Sequence, residues 1–331
     1  MIDLASISAL PRIIPIKPRL TFRNHWDHIL ARIGVRRGNH RVDPGLYALG
    51  NPTPESPVFV SANYTLSFDA LRSALEGIDG YILVLDTKGI NVWCAAGKGT
   101  FSTDEVALRV MITHLGEVVT HRKLILPQLG APGVAAHEVK KRTGFWVEYG
   151  PVLAKDLPEY LKNHQATPEM RLVRFPMRNR LELIPVDVVN ILLPSLLVAA
   201  LLYFLGGWVT SAAAATAVFA GIVLFPILLP WLPTHNFSTK GFFLGILCAI
   251  PFALSVVFRH PEWSWWRQAG QALEFLLAMP AVTAFIALNF TGSSTFTSRS
   301  GVRREMFAYI PAMAWTFGTG MILAILFAII R

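Results

Sequence analysis

Two apolar stretches, residues 56–63 (SPVFVSAN) and residues 81–86 (YILVLD), decide the fold of the first half of the chain. Strands of a parallel sheet are buried on both faces, so they read as nearly continuous apolar runs rather than as alternating patterns. Both stretches have this character, and between them a helical pattern runs from Ser67, a capping residue, to Glu76. The three segments together predict a β-α-β unit.

The same alternation of strand and helix continues along the chain. Residues 102–105 (STDE) form a capping box ahead of a helix that we expect to reach about His114. Further strands are predicted at 123–126 and 145–149, with a helix at 133–142 that Gly144 ends. This order favours an α/β fold with an open, mainly parallel, Rossmann-like sheet, in which ligands bind at the carboxyl ends of the strands.

The second half of the chain is apolar. Five of its segments approach or exceed the roughly 20 residues that cross a hydrocarbon core, and tryptophans stand at several of their ends, as interfacial aromatic residues do. The segments are 187–205, 208–232, 241–258, 269–290 and 307–330. They predict an all-α transmembrane domain with five helices, and the scarcity of charge within them favours an anchor over a transport path.

These features divide the chain into four regions. Residues 1–55 are basic and rich in proline, and no fold is assigned to them; residues 56–156 form the α/β domain, 157–186 a polar connector and 187–331 the transmembrane domain. With the α/β domain in the cytoplasm, the loop that carries Arg299, Arg303 and Arg304 also lies inside, in agreement with the positive-inside bias. We therefore expect a multi-pass protein of the cytoplasmic membrane.

The net charge of +9 does not indicate a nucleic-acid-binding protein. Much of the excess lies in residues 12–41 and in a cluster at 171–180 that immediately precedes the first apolar segment. Cations in that position are typical of the cytoplasmic side of a membrane, where they attract anionic lipid. The expected partner of these residues is therefore a lipid bilayer.

The segment after the second predicted strand carries the candidate chemistry. It reads Asn91-Val92-Trp93-Cys94-Ala95-Ala96-Gly97-Lys98. It is not a P-loop, because Val92 and Gly99 occupy the positions of the first glycine and of the final Ser or Thr. It is not a dinucleotide fingerprint, because Ser102 replaces the third glycine. A thiol redox motif needs a second cysteine three residues away, and Asn91 and Gly97 hold those positions.

The chain has two cysteines, Cys94 and Cys248, too few for an iron–sulfur cluster or a disulfide framework. From its sequence surroundings alone, Cys94 has three candidate roles: a small buried residue, a thiolate ligand to a metal, or a catalytic nucleophile. For the third role, His114, His121 and His137 are candidate bases, and no spacing singles one out.

The segment from Asn91 to Lys98 resembles, residue for residue, the cap-helix signature of the mercury-methylating corrinoid protein family (HgcA-type). Residues 86–89 (DTKG) before it and 99–101 (GTF) after it agree, and the five apolar segments are similar to the family's architecture. Residues 126–133 (LPQLGAPG) also resemble a segment of the related corrinoid iron–sulfur protein of acetyl-CoA synthesis. The resemblance covers most of the chain and is weakest in the first fifty residues.

The resemblance implies a cobalamin-type corrinoid over the α/β domain, with Cys94 beneath it as the lower axial cobalt ligand. The common histidine-ligated motif, Asp-x-His-x-x-Gly, is absent around His114, where Ile112 and Glu117 hold its outer positions. A thiolate donates electrons strongly, which would favour release of methyl as a carbanion equivalent to Hg(II). The expected cofactor-binding residues are Asn91, Val92, Trp93, Cys94, Ala95, Ala96, Gly97 and Lys98, and weaker contact candidates at predicted strand ends are Thr65, Gln128 and Gly133.

The resemblance also implies a methyl-tetrahydrofolate donor system and a ferredoxin-like partner with iron–sulfur clusters as reductant. An external reductant is needed because no iron–sulfur cluster is expected in this chain. The expected function is thus a corrinoid-dependent methyltransferase that makes methylmercury. Two alternatives stay open: a corrinoid methyl carrier of one-carbon metabolism, and a non-enzymatic membrane-tethered α/β sensor or scaffold.

Overall fold

A computed structural model describes residues 12–294 and 299–329. The chain forms two compact units: the residues up to Ala31 together with Val35–Val173, and Arg32–Gly34 together with the residues from Arg174 onward. The first unit is an α/β fold and the second is a set of long apolar helices. The predicted fold class is confirmed, whereas the four region boundaries stay a prediction.

The first unit is built on one six-stranded sheet with the order β1-β2-β4-β3-β5-β6. Its strands are β1 (Ile13–Ile16), β2 (Gly45–Leu49), β3 (Val58–Ala62), β4 (Gly80–Leu85), β5 (Lys123–Leu126) and β6 (Trp146–Tyr149). Strands β2 and β4 pair antiparallel, and every other neighbouring pair is parallel. The sheet is therefore mainly parallel, as the apolar runs predict.

Helices pack on both faces of this sheet. Because successive side chains of a strand point to opposite faces, Tyr81, Leu83 and Leu85 of β4 enter one apolar cluster, and Ile82 and Val84 enter the other. The helices along this part of the chain are α1 (Phe22–Arg32), α2 (Thr65–Ala74), α3 (Val92–Lys98), α4 (Thr103–Ile112), α5 (Leu115–Val118), α6 (Ala136–Thr143), α7 (Leu157–Asn163) and α8 (Pro168–Arg171).

Two helix starts differ from the prediction. Helix α2 begins at Thr65 rather than at Ser67, with Tyr64 as its N-cap. Helix α6 begins at Ala136 rather than at Gly133, because the backbone N–H of Ala135 donates to the Thr103 hydroxyl (2.8 Å) instead of joining a helical turn. Gly133 consequently lies in a turn that follows β5 and not in the helix.

The basic, proline-rich N-terminal segment contributes two strands and a helix, which the sequence did not reveal. Pro15 fits into β1 because this strand lies at the edge of the sheet. Helix α1 is held by two histidine–carboxylate pairs, each 2.8 Å long: His28 with the buried Asp69, and His40 with Asp27. Residues 1–11 of the predicted region lie outside the described residues.

Among the described residues, the second unit has four helices that are long and apolar enough to cross a membrane: Met177–Leu228, Phe237–Arg259, Trp265–Gly292 and Ser300–Ile329. Within these stretches the elements are α9 (Met177–Leu181), α10 (Ile184–Phe219), a π-helical segment (Ala220–Leu224), α11 (Phe225–Leu228), α12 (Phe237–Arg259), α13 (Trp265–Asn289) and α14 (Arg299–Ile329).

The first of these helices contains two of the five predicted segments. Gly207 has non-helical backbone angles (φ 78°, ψ −174°) inside α10. The Ser211 hydroxyl donates to the Ala199 carbonyl oxygen at 2.8 Å, although twelve residues of straight helix would separate them by roughly 18 Å. The chain therefore reverses at Gly207, and the predicted segments 187–205 and 208–232 are the two arms of a helical hairpin.

Small residues set the close packing between α12 and α13. A Cβ placed on Gly245 would lie 2.4 Å from the Pro280 Cα, and one placed on Gly241 would lie 2.6 Å from the Ala284 Cα. Gly241 and Gly245 form a Gly-x-x-x-Gly pattern, which lets two helix backbones approach closely inside a membrane.

Candidate functional site

The carboxyl end of β4 is joined to α3 by a loop that one asparagine side chain holds in place. Asn63, which follows β3 and is buried, accepts the backbone N–H groups of Thr87 (3.1 Å) and Gly89 (2.9 Å) on its side-chain oxygen. Its amide nitrogen donates to Asp86 (3.1 Å). The Thr87 hydroxyl is then left to donate to the Ile90 carbonyl (2.7 Å), since two N–H groups already fill the lone pairs of the amide oxygen.

Helix α3 is short and is fixed at both ends. The Asn91 side chain caps its start by accepting the backbone N–H of Cys94 at 2.9 Å. Gly99, in the left-handed conformation with φ 80°, ends it. Because Asn91 binds the Cys94 backbone directly, this cap sets the orientation of the residue that carries the thiol.

The two faces of α3 differ. Ala95 and Ala96 are buried against the sheet, whereas Cys94 is half-buried and Gly97 and Lys98 are exposed. Spacings of three and four residues place Cys94, Gly97 and Lys98 on one side of the helix. The thiol, a glycine and a lysine therefore share the outward side.

The buried side of α3 rests on a close backbone contact. A Cβ placed on Gly133 would lie 2.1 Å from the Phe101 carbonyl oxygen and 3.0 Å from the Ala96 Cα. A Cβ placed on Gly130 would lie 2.5 Å from the Phe101 ring. Gly133 thus supports the helix from below, which is a packing role for a residue that was expected from sequence to contact a ligand.

The outward side of α3 is open. A Cβ placed on Gly97 or on Gly99 would meet no atom within 4 Å. Within the described part of the chain, the Cys94 thiol takes part in no disulfide and in no hydrogen bond. Small residues around an available thiol fit a large flat group that approaches the helix closely, with the sulfur as a donor toward a metal.

The other expected contact residues gather at the same edge of the sheet. Thr65 begins α2 just beyond β3 and is buried, and Gln128 follows β5 and accepts a hydrogen bond from Arg171 at 2.9 Å. Val92 packs against the apolar cluster beneath α3, and Trp93 is half-buried. The carboxyl ends of β3, β4 and β5 therefore bring all the expected site residues to one edge, as parallel topology requires.

None of the three candidate histidines is hydrogen-bonded to Cys94 in the described residues. His121 precedes β5 and its Nε2–H donates to the Ser56 carbonyl (2.9 Å), so it lies at the opposite edge of the sheet. His114 pairs with Glu117 (3.2 Å), and the exposed His137 lies 3.8 Å from Glu138.

Several residues that shape the site were not singled out from sequence. Asn63, Gly130 and Phe101 position α3 or its loop, and Tyr149 donates to the Val134 carbonyl at 2.5 Å beside α6. Burial raises the pKa of Tyr149, which keeps the phenol protonated as a donor. An asparagine directly after a buried strand was the one readable signal, because such a position at a carboxyl edge favours a side chain that orders the next loop.

Cations lie in α3 and near the loop that leads into it. Lys88 in that loop and Lys98 in the last turn of α3 are exposed, and the Arg41 Cβ lies 3.6 Å from a Cβ placed on Gly89. Over the described ranges, no group of three or more His, Cys, Asp or Glu side chains could hold a metal ion by itself.

Comparison with known proteins finds one family and several curated relatives that are similar to part of this chain. Residues 35–161 match the family described as CO dehydrogenase/acetyl-CoA synthase delta subunit. The chain is 34% identical over 128 residues to the acetyl-CoA decarbonylase/synthase complex subunit gamma of Methanopyrus kandleri, covering 38% of this chain and 27% of that protein. It is 36% identical over 114 residues to the subunit of the same name from Archaeoglobus fulgidus, covering 34% and 24%.

A bacterial relative extends the comparison. Over 150 residues the chain is 28% identical to the corrinoid/iron-sulfur protein large subunit of Moorella thermoacetica, covering 43% of this chain and 33% of that protein. The chain spans about a quarter to a third of the length of these curated relatives. The family match at 35–161 lies within the α/β unit and includes β2 to β6 and α3, so it contains the whole candidate site.

Proposed function

We propose that this protein is a membrane-anchored corrinoid methyltransferase whose methyl acceptor is Hg(II). The observation that carries the proposal is the Cys94 thiol, half-buried and without a hydrogen bond in the described structure, on a capped helix at the carboxyl edge of a parallel sheet. The similarity of residues 35–161 to a family with corrinoid relatives supports the same ligand class. The resemblance of the segment from Asn91 to Lys98 to the mercury-methylating proteins supports the acceptor.

Different residues of the site would contact different parts of a corrinoid. When bound, the group supplies a cobalt that carries a methyl group and releases it with its electron pair. Cys94 would hold the group through its cobalt, and a thiolate donates electron density to a metal more strongly than a histidine does. Asn91 fixes the direction of Cys94 through the backbone N–H, while Gly97 leaves room for a flat surface and Lys98 is available to an amide or phosphate of the ligand.

Three further components follow from the proposal. The methyl group is supplied by a methyl-tetrahydrofolate system, and a ferredoxin-like protein with iron–sulfur clusters restores reduced cobalt. Hg(II) is the substrate, and the helices of the second unit anchor the protein in the cytoplasmic membrane with the α/β unit in the cytoplasm. The cations at Arg41, Lys88 and Lys98 are suited to anionic groups approaching the open side of α3.

The first test is an anaerobic ultraviolet–visible spectrum of the full chain in detergent after reconstitution with a corrinoid. Cys94→Ala is compared with Cys248→Ala, which removes the other thiol from a position far along the chain, in α12. We expect wild type and Cys248→Ala to give the same spectrum and Cys94→Ala to differ, because only Cys94 ligates cobalt. Identical spectra in all three proteins would contradict ligation of cobalt by Cys94, and a folded wild type that retains no corrinoid would contradict corrinoid binding.

The acceptor is tested separately by methyl transfer with and without Hg(II), with the reductant and methyl donor present. Mercury-dependent formation of methylmercury is the expected result. A second candidate function, a methyl carrier of one-carbon metabolism, is favoured by the names of the curated relatives. It would be indicated by corrinoid binding with methyl transfer to a carbon-pathway acceptor and no mercury product, whereas a folded protein that binds no corrinoid would indicate a sensor or scaffold.

A further inference from the structure

We infer that α1 docks on the surface of an anionic lipid bilayer through Phe22, Trp26 and Ile29. These three side chains are 83%, 53% and 48% exposed. Their spacing of four and then three residues puts them on one narrow stripe of the helix. A stripe of large apolar side chains that faces away from its own domain is typical of an interaction surface.

The opposite side of α1 is tied to the α/β unit by polar contacts. Asp27 pairs with His40 and His28 pairs with the buried Asp69, both at 2.8 Å, and Ala31 is buried. Because these contacts fix the rotation of the helix about its axis, the apolar stripe cannot turn inward. The helix is therefore amphipathic in the sense opposite to an ordinary surface helix, with its polar side toward the protein.

The charge around α1 matches anionic headgroups. Residues 12–41 contain one carboxylate, Asp27, which already pairs with His40. The same stretch contains eight basic residues: Arg12, Lys17, Arg19, Arg23, Arg32, Arg36, Arg37 and Arg41. A tryptophan among apolar residues with flanking arginines is the composition of helices that lie at the boundary between headgroups and acyl chains. An anionic bilayer, rather than an apolar protein groove, therefore fits both the stripe and its cationic flanks.

The end of α1 continues directly into the second unit, the proposed anchor. The last residue of α1, Arg32, belongs to the second unit, where its guanidinium lies 3.3 Å from the Glu182 carboxylate. Glu182 lies within Met177–Leu228, the first of the helices that are apolar enough to span a bilayer. The inference rests on the proposed membrane anchoring of this second unit and is independent of the proposed corrinoid.

The test uses the full chain in lipid nanodiscs that contain phosphatidylglycerol. An environment-sensitive fluorophore is attached at Trp26→Cys in a chain that also carries Cys94→Ala and Cys248→Ala, and phospholipids with brominated acyl chains serve as quenchers. The matched control places the same fluorophore at His137→Cys, an exposed position (82% of the side chain) on α6 of the same unit. Ile29→Cys, which keeps Trp26, provides a second label on the stripe if the first variant folds poorly.

We expect loss of fluorescence with brominated lipid at positions 26 and 29 and none at position 137. Replacing phosphatidylglycerol by phosphatidylcholine should reduce the loss at 26 and 29, because the net attraction between the basic flanks and anionic headgroups is then removed. Equal quenching at positions 26, 29 and 137 in correctly incorporated chain would overturn the inference. If the fluorophore at positions 26 and 29 responded only to an added protein and not to brominated lipid, the stripe would be a protein-binding surface and the inference would also fail. Because the labelled chain lacks Cys94, the result does not depend on corrinoid binding, and failure of the chain to incorporate into nanodiscs would instead count against the anchor.

Discussion

The two units of this protein differ in how far their apolar stretches are buried. In the α/β unit every residue of β3 and β4 is buried. In the second unit, by contrast, no residue in the most apolar stretch of Met177–Leu228 is buried, and large residues such as Phe204 and Leu205 are exposed. Large side chains such as Phe225 are buried there as well, but the closest backbone contacts, between α12 and α13, are made at glycine.

This contrast shows that the same residue type has a different use in each solvent. In water, burial of large apolar side chains is the main source of stability, and a buried ion must be paired. In a bilayer the lipid is as apolar as leucine, so large side chains face outward and close backbone contact holds the helices together. The first four predictions below each test one side of this comparison, beginning with the largest expected effect.

Removing a buried charge should damage the α/β unit most. Asp69 is 1% exposed and accepts hydrogen bonds from His28 (2.8 Å) and from the Arg72 guanidinium (2.6 Å). Asp69→Asn leaves Arg72 buried without its counter-ion, which we expect to cost about 3–5 kcal/mol of unfolding free energy. Calorimetry of the full chain in detergent measures the loss. Glu76→Gln, which breaks the exposed pair with Arg19, is the control and should change stability by less than about 1 kcal/mol.

The same pair predicts how stability depends on pH. Burial raises the pKa of Asp69, but the hydrogen bonds from His28 and Arg72 outweigh it and hold the pKa below its ordinary value. The carboxylate therefore contributes stability above the ordinary pKa of about 3.9, and this contribution is lost as the pH falls through the lowered value. The difference in unfolding free energy between wild type and Asp69→Asn should shrink on acidification; a difference that stays constant into strong acid would contradict this account.

Adding one methyl group between α12 and α13 of the second unit should have the next largest effect. Gly245→Ala places a Cβ 2.4 Å from the Pro280 backbone, and overpacking of this kind costs about 1–3 kcal/mol. Gly318→Ala makes the same change on α14, where a Cβ would meet no atom within 4 Å. Unfolding in mixed detergent micelles with increasing dodecyl sulfate should show an earlier midpoint for Gly245→Ala and an unchanged or later one for Gly318→Ala. Equal midpoints would mean that close backbone packing is not what stabilises this unit.

Loss of the α3 cap should have a local effect of moderate size. Asn91→Ala removes the acceptor of the Cys94 N–H and should weaken the helix by about 1 kcal/mol, which corresponds to roughly fivefold faster hydrogen exchange at that amide. Exchange measured by mass spectrometry on peptides that contain Cys94 reports the change. Asn91→Ser retains a capping oxygen and should exchange nearly as slowly as wild type; fast exchange in both variants would point to fraying from another cause.

A substitution on the outward side of α3 should separate stability from ligand binding. Gly97→Ala adds a Cβ into open space and should stabilise the helix by about 0.5–1 kcal/mol. It should also weaken corrinoid retention, because the added methyl group occupies the side on which the ligand is proposed to lie. Retention is measured by absorbance after gel filtration. The control is Gly133→Ala, whose Cβ would collide with the Phe101 carbonyl oxygen and which should therefore lower stability. If Gly97→Ala leaves corrinoid retention unchanged while the two variants shift stability in opposite directions as expected, the ligand does not lie on the proposed side of α3.

The α/β fold was predictable where the chain is buried on both sides, because only apolar residues suit such strands. Strand β5 occupies the predicted residues 123–126, and β4 differs from its prediction by one residue at each end. Strand β1 was missed because an edge strand tolerates Pro15 and basic neighbours that resemble a loop. Strand β2 is an inner strand, and it was missed because its five residues stand between Pro44 and Gly50, which resemble loop residues. In the site, the capped helix around Cys94 had a local signature. The supporting contact of Gly133 with Ala96 joins residues 37 positions apart, and no local pattern announces it.

The hydrogen bonds of the Asn63 side chain affect which ligands this edge of the sheet can bind. Its amide already immobilises the turn at Thr87 and Gly89, so α3 has its direction before anything binds there. A ligand that meets a preorganised surface loses little affinity to ordering the protein, and one whose shape does not match cannot be accommodated by rearrangement of the turn. Discrimination among flat ligands would then depend on a residue that follows the neighbouring strand β3 rather than on the helix that carries the thiol, and exchange of Asn63 would be expected to broaden what the site accepts.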